Sequence, residues 1–223
     1  MTPQRADVLR RIADHLGAMR PGHPLRVGVD GVCGVGKSTF ARDLAAAMGQ
    51  TDRPVVHLDS DAFHHVRERR RRQGHLSGRG YYEDAYDFDA LADRVLRPLG
   101  PGGTRTYAVR VLDFASDAVI ADETAHASGD AVVIFDATFL QRDELRDLWD
   151  AVVYLHADED AALARALARD MTALGGEESA RAAYESRYAA ACRIYLDEQD
   201  PRRRASIVVE HTDPDRPQVE RLT

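Results

Sequence analysis

The sequence predicts a three-layer α/β fold: a mostly parallel sheet with helices on both faces. Three observations predict it. Short apolar runs alternate with amphipathic stretches along the chain, the pattern of strands joined by helical crossovers. Two of those runs, Ala131 to Phe135 (AVVIF) and Ala151 to Leu155 (AVVYL), are apolar throughout, as in strands covered on both faces. A glycine-rich turn at residues 31–36 joins the first apolar run to a helical pattern.

In chain order, Met1 to Arg20 reads as an amphipathic helix with Val8, Ile12, Leu16 and Met19 on one face. Leu25 to Val29 reads as a strand. Lys37 to Met48 reads as a helix with Phe40, Leu44 and Met48 aligned, and Val55 to Leu58 as a second strand. Gln73 to Gly80 reads as a loop. Phe88 to Leu96 reads as a helix ending before Pro98, and Tyr107 to Leu112 as extended chain. After the two buried strands, Asp158 to Arg169 has the acidic first turn that suits a helix dipole. Ser179 to Leu196 reads as a long helix and Ser206 to Val209 as a last strand; the glycines at 100–103 and 175–176 mark loops. No stretch has the composition of an interdomain linker, so residues 1–223 read as a single domain, with 1–20 its N-terminal helix and about 170–190 a lid region.

Composition narrows the function. The chain carries 44% hydrophobic and 30% charged residues with a net charge of −7. That balance disfavours nucleic acid and anionic lipid as partners and makes any anion site a local one. No apolar stretch has membrane-spanning length, and the N-terminus lacks the apolar block of a signal peptide. Two cysteines, Cys33 and Cys192, make no disulfide framework. The expected setting is a reducing cytoplasm.

Residues 31–38 read Gly31-Val32-Cys33-Gly34-Val35-Gly36-Lys37-Ser38, a G-x-x-x-x-G-K-S match between an apolar strand and a helix. Glycines there let backbone N–H groups converge on phosphate oxygens, and the following helix, which begins at Lys37-Ser38-Thr39, adds its positive end. Lys37 would neutralise the β- and γ-phosphates, and the Ser38 hydroxyl would ligate Mg²⁺. Lys37 is the chain's one lysine, so 29 of its 30 basic residues are arginine. A chain that replaces lysine elsewhere and keeps it here points to a role arginine does not fill. The chain has no asparagine and no second lysine, so it cannot carry the Asn/Thr-Lys-x-Asp motif that reads guanine, and the nucleotide expected is ATP. Asp136, at the end of the AVVIF strand, is the expected Mg²⁺ partner. Asp59 and Asp61 follow the second strand, and one of them is placed to accept a proton from an acceptor hydroxyl.

Further pieces make a resemblance specific. GVDGVCGVGKSTFA, DSDAFHH, YYEDAYDFDAL, RVLRPL, AVVIFDATFL, LARALARD and DPRRRASIVVE occur in that order between about Leu25 and Glu210. Together they resemble the uridine kinase/phosphoribulokinase family of P-loop kinases, especially its bacterial uridine kinase-like members. The resemblance implies a P-loop NTPase fold with a helical lid, and transfer of a phosphoryl group from ATP to a small-molecule alcohol. It implies Asp61 as general base, Asp84 as a holder of ribose hydroxyls, and Arg165 and Arg169 as arginines reaching the ATP phosphates. Lys37, Asp61 and Arg169 would then form the catalytic set. His64 and Tyr82 are expected along the acceptor pocket, and Arg67 to Arg72 are either a phosphate-holding cluster or a solvated helix face. Uridine kinases are often oligomeric, which leaves a homo-oligomer open. The chain departs from the pattern where the pyrimidine-reading tyrosine and histidine belong, at Leu112 and Asp117. That departure leaves kinase chemistry untouched and removes the pair that would read uridine. The alternatives are a non-enzymatic ATP-binding regulator and a phosphotransferase for another sugar-like alcohol or a xenobiotic.

Overall fold

The computed structural model describes residues 1–50 and 52–223. Pro3–Ala18 forms α1, Leu25–Gly31 β1, Lys37–Met48 α2 and Val55–Asp59 β2. A 3₁₀ turn, Ser60–Phe63, leads to α3 (Arg67–Arg70), α4 (Gly78–Asp84) and α5 (Phe88–Leu91). A π turn at Ala92–Leu96 then runs into α6 (Arg97–Leu99). Four short strands follow: β3 (Thr106–Ala108), β4 (Leu112–Asp113), β5 (Ala118–Val119) and β6 (Thr124–His126). The chain returns to the interior with β7 (Val132–Asp136) and β8 (Ala151–His156), then α7 (Glu159–Asp170) and α8 (Glu177–Ala183). A π turn at Tyr184–Ala189 joins α8 to α9 (Ala190–Gln199), and α10 (Pro201–Arg204), β9 (Ile207–Glu210) and β10 (Gln218–Leu222) complete it.

The main sheet has the order β10-β9-β8-β1-β7-β2. Every pairing is parallel except β9 with β10. Strand alternation builds two cores, one on each face. Val132 and Ile134 of β7 pack with α1 and α2 side chains such as Ile12, Leu16, Phe40 and Leu44. Val133 and Phe135 face the other way, onto Leu91, Val95, Phe139 and Tyr195. This is the predicted three-layer arrangement. Among the described residues no helix is long and apolar enough to cross a membrane.

The differences from the sequence reading have local causes. The expected loop at 73–80 gives way to α4 at Gly78, capped by Ser77, whose Oγ accepts from the Gly80 amide at 2.9 Å. Gly78 is required by packing: a Cβ there would lie 2.6 Å from the Ala190 Cβ. Pro98 does not end its helix; the chain stays helical to Leu99. It follows the π turn directly, where the i→i−4 ladder is already displaced, so its missing N–H interrupts no regular run. The expected extended segment at 107–112 is interrupted: β3 pairs with β6 and β4 with β5, in two separate two-stranded sheets. The long helix expected at 179–196 is broken by a π turn rather than straight α-helix. Met19 is the C-cap of α1 and packs, half-buried, against the same core as Val8, Ile12 and Leu16.

Candidate active site

The carboxyl ends of β1, β7 and β2 lie side by side, which fixes the site. Register pairs Val29 with Asp136 and Asp136 with Asp59. The turn that leaves β1 therefore opens beside both strand-end carboxylates, the usual place for a ligand on such a sheet.

That turn folds as a phosphate-binding nest. Gly31, Gly34 and Gly36 have φ of 149°, 82° and 99°, in the region where L side chains are strained. Gly34 also has no room: a Cβ would stand 2.3 Å from the Ala162 carbonyl oxygen. Within the loop, the Val35 amide donates to the Val32 carbonyl at 3.3 Å and the Cys33 amide to Cys192 Sγ at 3.3 Å. Among the described residues no protein acceptor takes the amides of Gly34, Gly36, Lys37 or Ser38. These orphan donors at the start of α2 are what a triphosphate satisfies. Lys37 Nζ rests on the Val32 carbonyl at 2.9 Å, a neutral acceptor that an anionic oxygen outcompetes. Thr39 is exposed in the first turn of α2.

The Ser38 hydroxyl donates to Asp136 Oδ2 at 2.6 Å. His57 Nε2 contacts the other oxygen, Oδ1, at 2.7 Å. A serine hydroxyl and a buried carboxylate meeting beside the nest are hard oxygen donors that fit Mg²⁺. His57, on β2, was not part of the sequence expectation for this carboxylate; its place opposite Ile134 in the β2–β7 register is what brings it there.

Behind the loop, a hydrogen-bond chain holds the backbone. His211 Nδ1 meets the Val35 carbonyl at 2.8 Å and Arg5 Nη1 meets His211 Nε2 at 3.1 Å. Burial, with Arg5 and Arg165 nearby, pushes the imidazole down to about 4. A neutral ring donates through Nδ1 and accepts through Nε2, which satisfies both contacts. Arg165 bonds the Gly34 and Thr212 carbonyls at 3.2 and 2.8 Å. It ties the loop to the segment after β9 rather than lining the cleft.

A cleft of about 470 Å³ contains Lys37, Ser38, Asp61, His64, Asp136 and Arg169 in its wall. Asp61 stands at the start of the 3₁₀ turn, its amide bonded to Asp59 Oδ1 at 2.9 Å. Shielding from water by the cleft walls, then the charges of Asp59 and Asp136, raise its pKa above the ordinary value. His64 packs between Tyr86 and Phe114, with ring centroids at 4.3 and 4.9 Å. Burial, then the neighbouring Arg70, lowers its pKa to about 3, so it is neutral. Arg169 faces the cleft while paired with Asp170 at 2.7 Å.

Tyr82 and Asp84 do not line this cleft. Tyr82 is buried against Phe139, with the Arg142 guanidinium 4.6 Å from its ring centroid. Asp84 is buried and bonded to Arg72 and Gln73, at 2.7 and 2.8 Å. Helix geometry explains the sorting: Tyr81 and Ala85, four apart, share the cleft face of α4, and Tyr86 continues it. Of the arginine run, Arg70 reaches the cleft, stacked 4.3 Å over Phe114 and bonded to Asp117 at 3.1 Å. The sequence reading did not place Phe114, Thr138, Asp170 or Tyr188 in this wall. Thr138, two residues beyond Asp136, carried a usable signal, because residues just past a strand's carboxyl end in such sheets face the ligand.

Comparison with known proteins shows the family and the fold. The model of the "Phosphoribulokinase / Uridine kinase family" matches residues 26–210. The chain belongs to that family. A uridine kinase of Latilactobacillus sakei is 28% identical over 159 residues, covering 68% of this chain and 69% of its relative. A uridine kinase of Lactobacillus helveticus is 26% identical over 155 residues, covering 68% of this chain and 70% of its own length. A solved structure from Bacillus stearothermophilus, described as a possible uridine kinase, superposes with a TM-score of 0.70 at 24% identity. It covers 92% of this chain and 96% of its own. Family membership makes this a P-loop kinase fold of the phosphotransferase class.

Proposed function

We propose that the chain is an ATP- and Mg²⁺-dependent kinase that phosphorylates a hydroxyl of a small metabolite. The observation that carries this is the gathering of Asp61, Lys37, Ser38 and Asp136 in one cleft beside a loop whose Gly34, Gly36, Lys37 and Ser38 amides meet no protein acceptor among the described residues. A nucleotide-binding regulator needs the loop but no carboxylate poised in the same cleft.

In this reading the loop amides and Lys37 hold the β- and γ-phosphates, and Arg169 reaches them from α7. Ser38 and Asp136 would hold Mg²⁺, with His57 fixing the second Asp136 oxygen. Bound there, the metal would neutralise charge on the phosphates. Asp61 takes the proton of the acceptor hydroxyl; its raised pKa makes it a stronger base than an ordinary aspartate. The aromatic wall of Tyr81, Tyr86 and Phe114 excludes water from the transfer. Little more is required, since phosphoryl transfer depends mainly on positioning and electrostatics.

The acceptor is a nucleoside or another sugar-like alcohol. Asp117, standing where uridine kinases carry a base-reading histidine, accepts the Arg67 amide and the Arg70 guanidinium instead. Leu112 is buried. These positions favour an acceptor other than uridine. ADP formation measured against nucleosides, sugars and phosphorylated alcohols tests the proposal. Acceptor-dependent turnover supports it, and tight ATP binding without turnover on any acceptor rejects it in favour of a regulator.

A further inference from the structure

A second cavity, of about 320 Å³, lies beside the first. It shares only Cys33 and Tyr184 with the cleft wall. Val32 closes it from the loop, Leu163 from α7 and Leu196 from α9, and Tyr154 forms its floor at the end of β8. The lining is largely apolar, and its arginines are already matched, Arg193 with Glu159 at 3.3 Å and Arg202 with Glu220 at 2.7 Å, while Glu185 at the rim is exposed to solvent.

Two polar atoms in this wall stand out. Tyr154 and Tyr184 are 2% and 3% exposed, yet among the described residues neither hydroxyl makes a hydrogen bond to a protein group. Neither hydroxyl is among the sealed polar atoms that lack a partner, so each keeps access to solvent and is free to bond a ligand. Neighbouring Tyr195 shows the ordinary case, bonded to both Asp30 and the Gln141 amide. An apolar chamber with two unpaired but accessible hydroxyls matches a flat ring that buries its faces and presents a polar edge. An anionic ligand would lose its hydration with no free cation to meet it, and the one lining carboxylate without an ion pair among the described residues, Glu185, lies out in solvent rather than inside the chamber.

We infer that this chamber is a binding site, distinct from the nucleotide cleft, for a small uncharged planar ring compound with hydrogen-bonding groups on its edge. Because Cys33 and Tyr184 belong to both walls, an occupant presses on the phosphate loop and the lid region together. The inference does not depend on which alcohol is phosphorylated.

The test titrates the full chain with quinolin-2-one, a bicyclic ring with one amide edge, by calorimetry or ligand-observed NMR. Binding at one site is expected with a Kd on the order of 1 mM or tighter, the range for a ligand of that size. Tyr154→Phe should weaken it at least about threefold while leaving ATP affinity unchanged, the effect of one lost hydrogen bond. Leu163→Trp should fill the chamber and abolish binding. Saturating ATP·Mg²⁺ should give a ternary complex. Absence of binding, mutually exclusive binding with ATP, or an affinity unchanged by Tyr154→Phe overturns the assignment. The phenylalanine variant preserves packing, so it decides the matter even if the tryptophan variant fails to fold.

Discussion

The Ser38 hydroxyl and the Asp136 carboxylate meet at 2.6 Å, joining the first turn of α2 to the end of β7. These two side chains come from segments nearly a hundred residues apart, and the parallel pairing of β1 with β7 is what brings them together. Asp136→Asn should keep the fold, since the amide is nearly isosteric. It should raise the Mg²⁺ concentration needed for half-maximal activity at least about tenfold, as for loss of a charged metal ligand. Activity titrated against Mg²⁺ at fixed ATP measures this, and an unchanged midpoint would remove Asp136 from the metal site.

Asp61→Asn should leave ATP affinity intact and slow transfer by about 10²–10⁴-fold, the usual contribution of a general base. The wild-type rate should climb with pH along an acid limb set by Asp61, and that limb should lie above the ordinary aspartate range because the pKa is raised. Linkage carries the same sign. A carboxyl whose folded pKa is raised costs stability once pH exceeds the unfolded value of 3.8. The asparagine variant should therefore melt no lower than wild type at neutral pH, and a lower melting temperature would contradict the environment described here.

Gly34→Ala forces a Cβ into the Ala162 carbonyl at a φ of 82°. The loop has to move, so nucleotide affinity should fall at least about tenfold with the rest of the fold retained. Calorimetric titration with ATP reads this, and wild-type affinity would show that the loop conformation is not the binding one.

Tyr195→Phe leaves Asp30 Oδ2 with a single donor, Gln141, in a fully buried position. Burial already raises the Asp30 pKa, so loss of a donor should destabilise the protein by about 1–3 kcal/mol. Urea unfolding measures it, and a change within error would mean the Asp30–Tyr195 contact contributes nothing to folding.

The sheet and the loop were legible because their signals are local. AVVIF and AVVYL are apolar at every position, and G-x-x-x-x-G-K-S carries its conformation in its glycines. The two small sheets were not legible, since strands of two or three residues such as Leu112–Asp113 are too short to show alternation. Helix α4 was hidden by Gly78 and Gly80, whose glycines answer to contacts with α9 and Gln73 rather than to a turn. The acceptor side suffered in the same way. Tyr81 and Tyr82 are adjacent in sequence and look interchangeable, but only the rotation of α4 against α9 decides that the first faces the cleft and the second the core. Arg165 and Arg169 are one helical turn apart, yet Arg165 is taken by carbonyls at 34 and 212 that only the tertiary fold supplies.

The central claim is that residues 31–38 form a cradle for triphosphate topped by the chain's one ammonium group. Titration of ATP·Mg²⁺ into wild type and Lys37→Ala tests it most directly. The account predicts saturable binding to wild type at one site and at least about a tenfold loss in the variant, equivalent to one strong charge-assisted contact. Equal dissociation constants for the two proteins would contradict it.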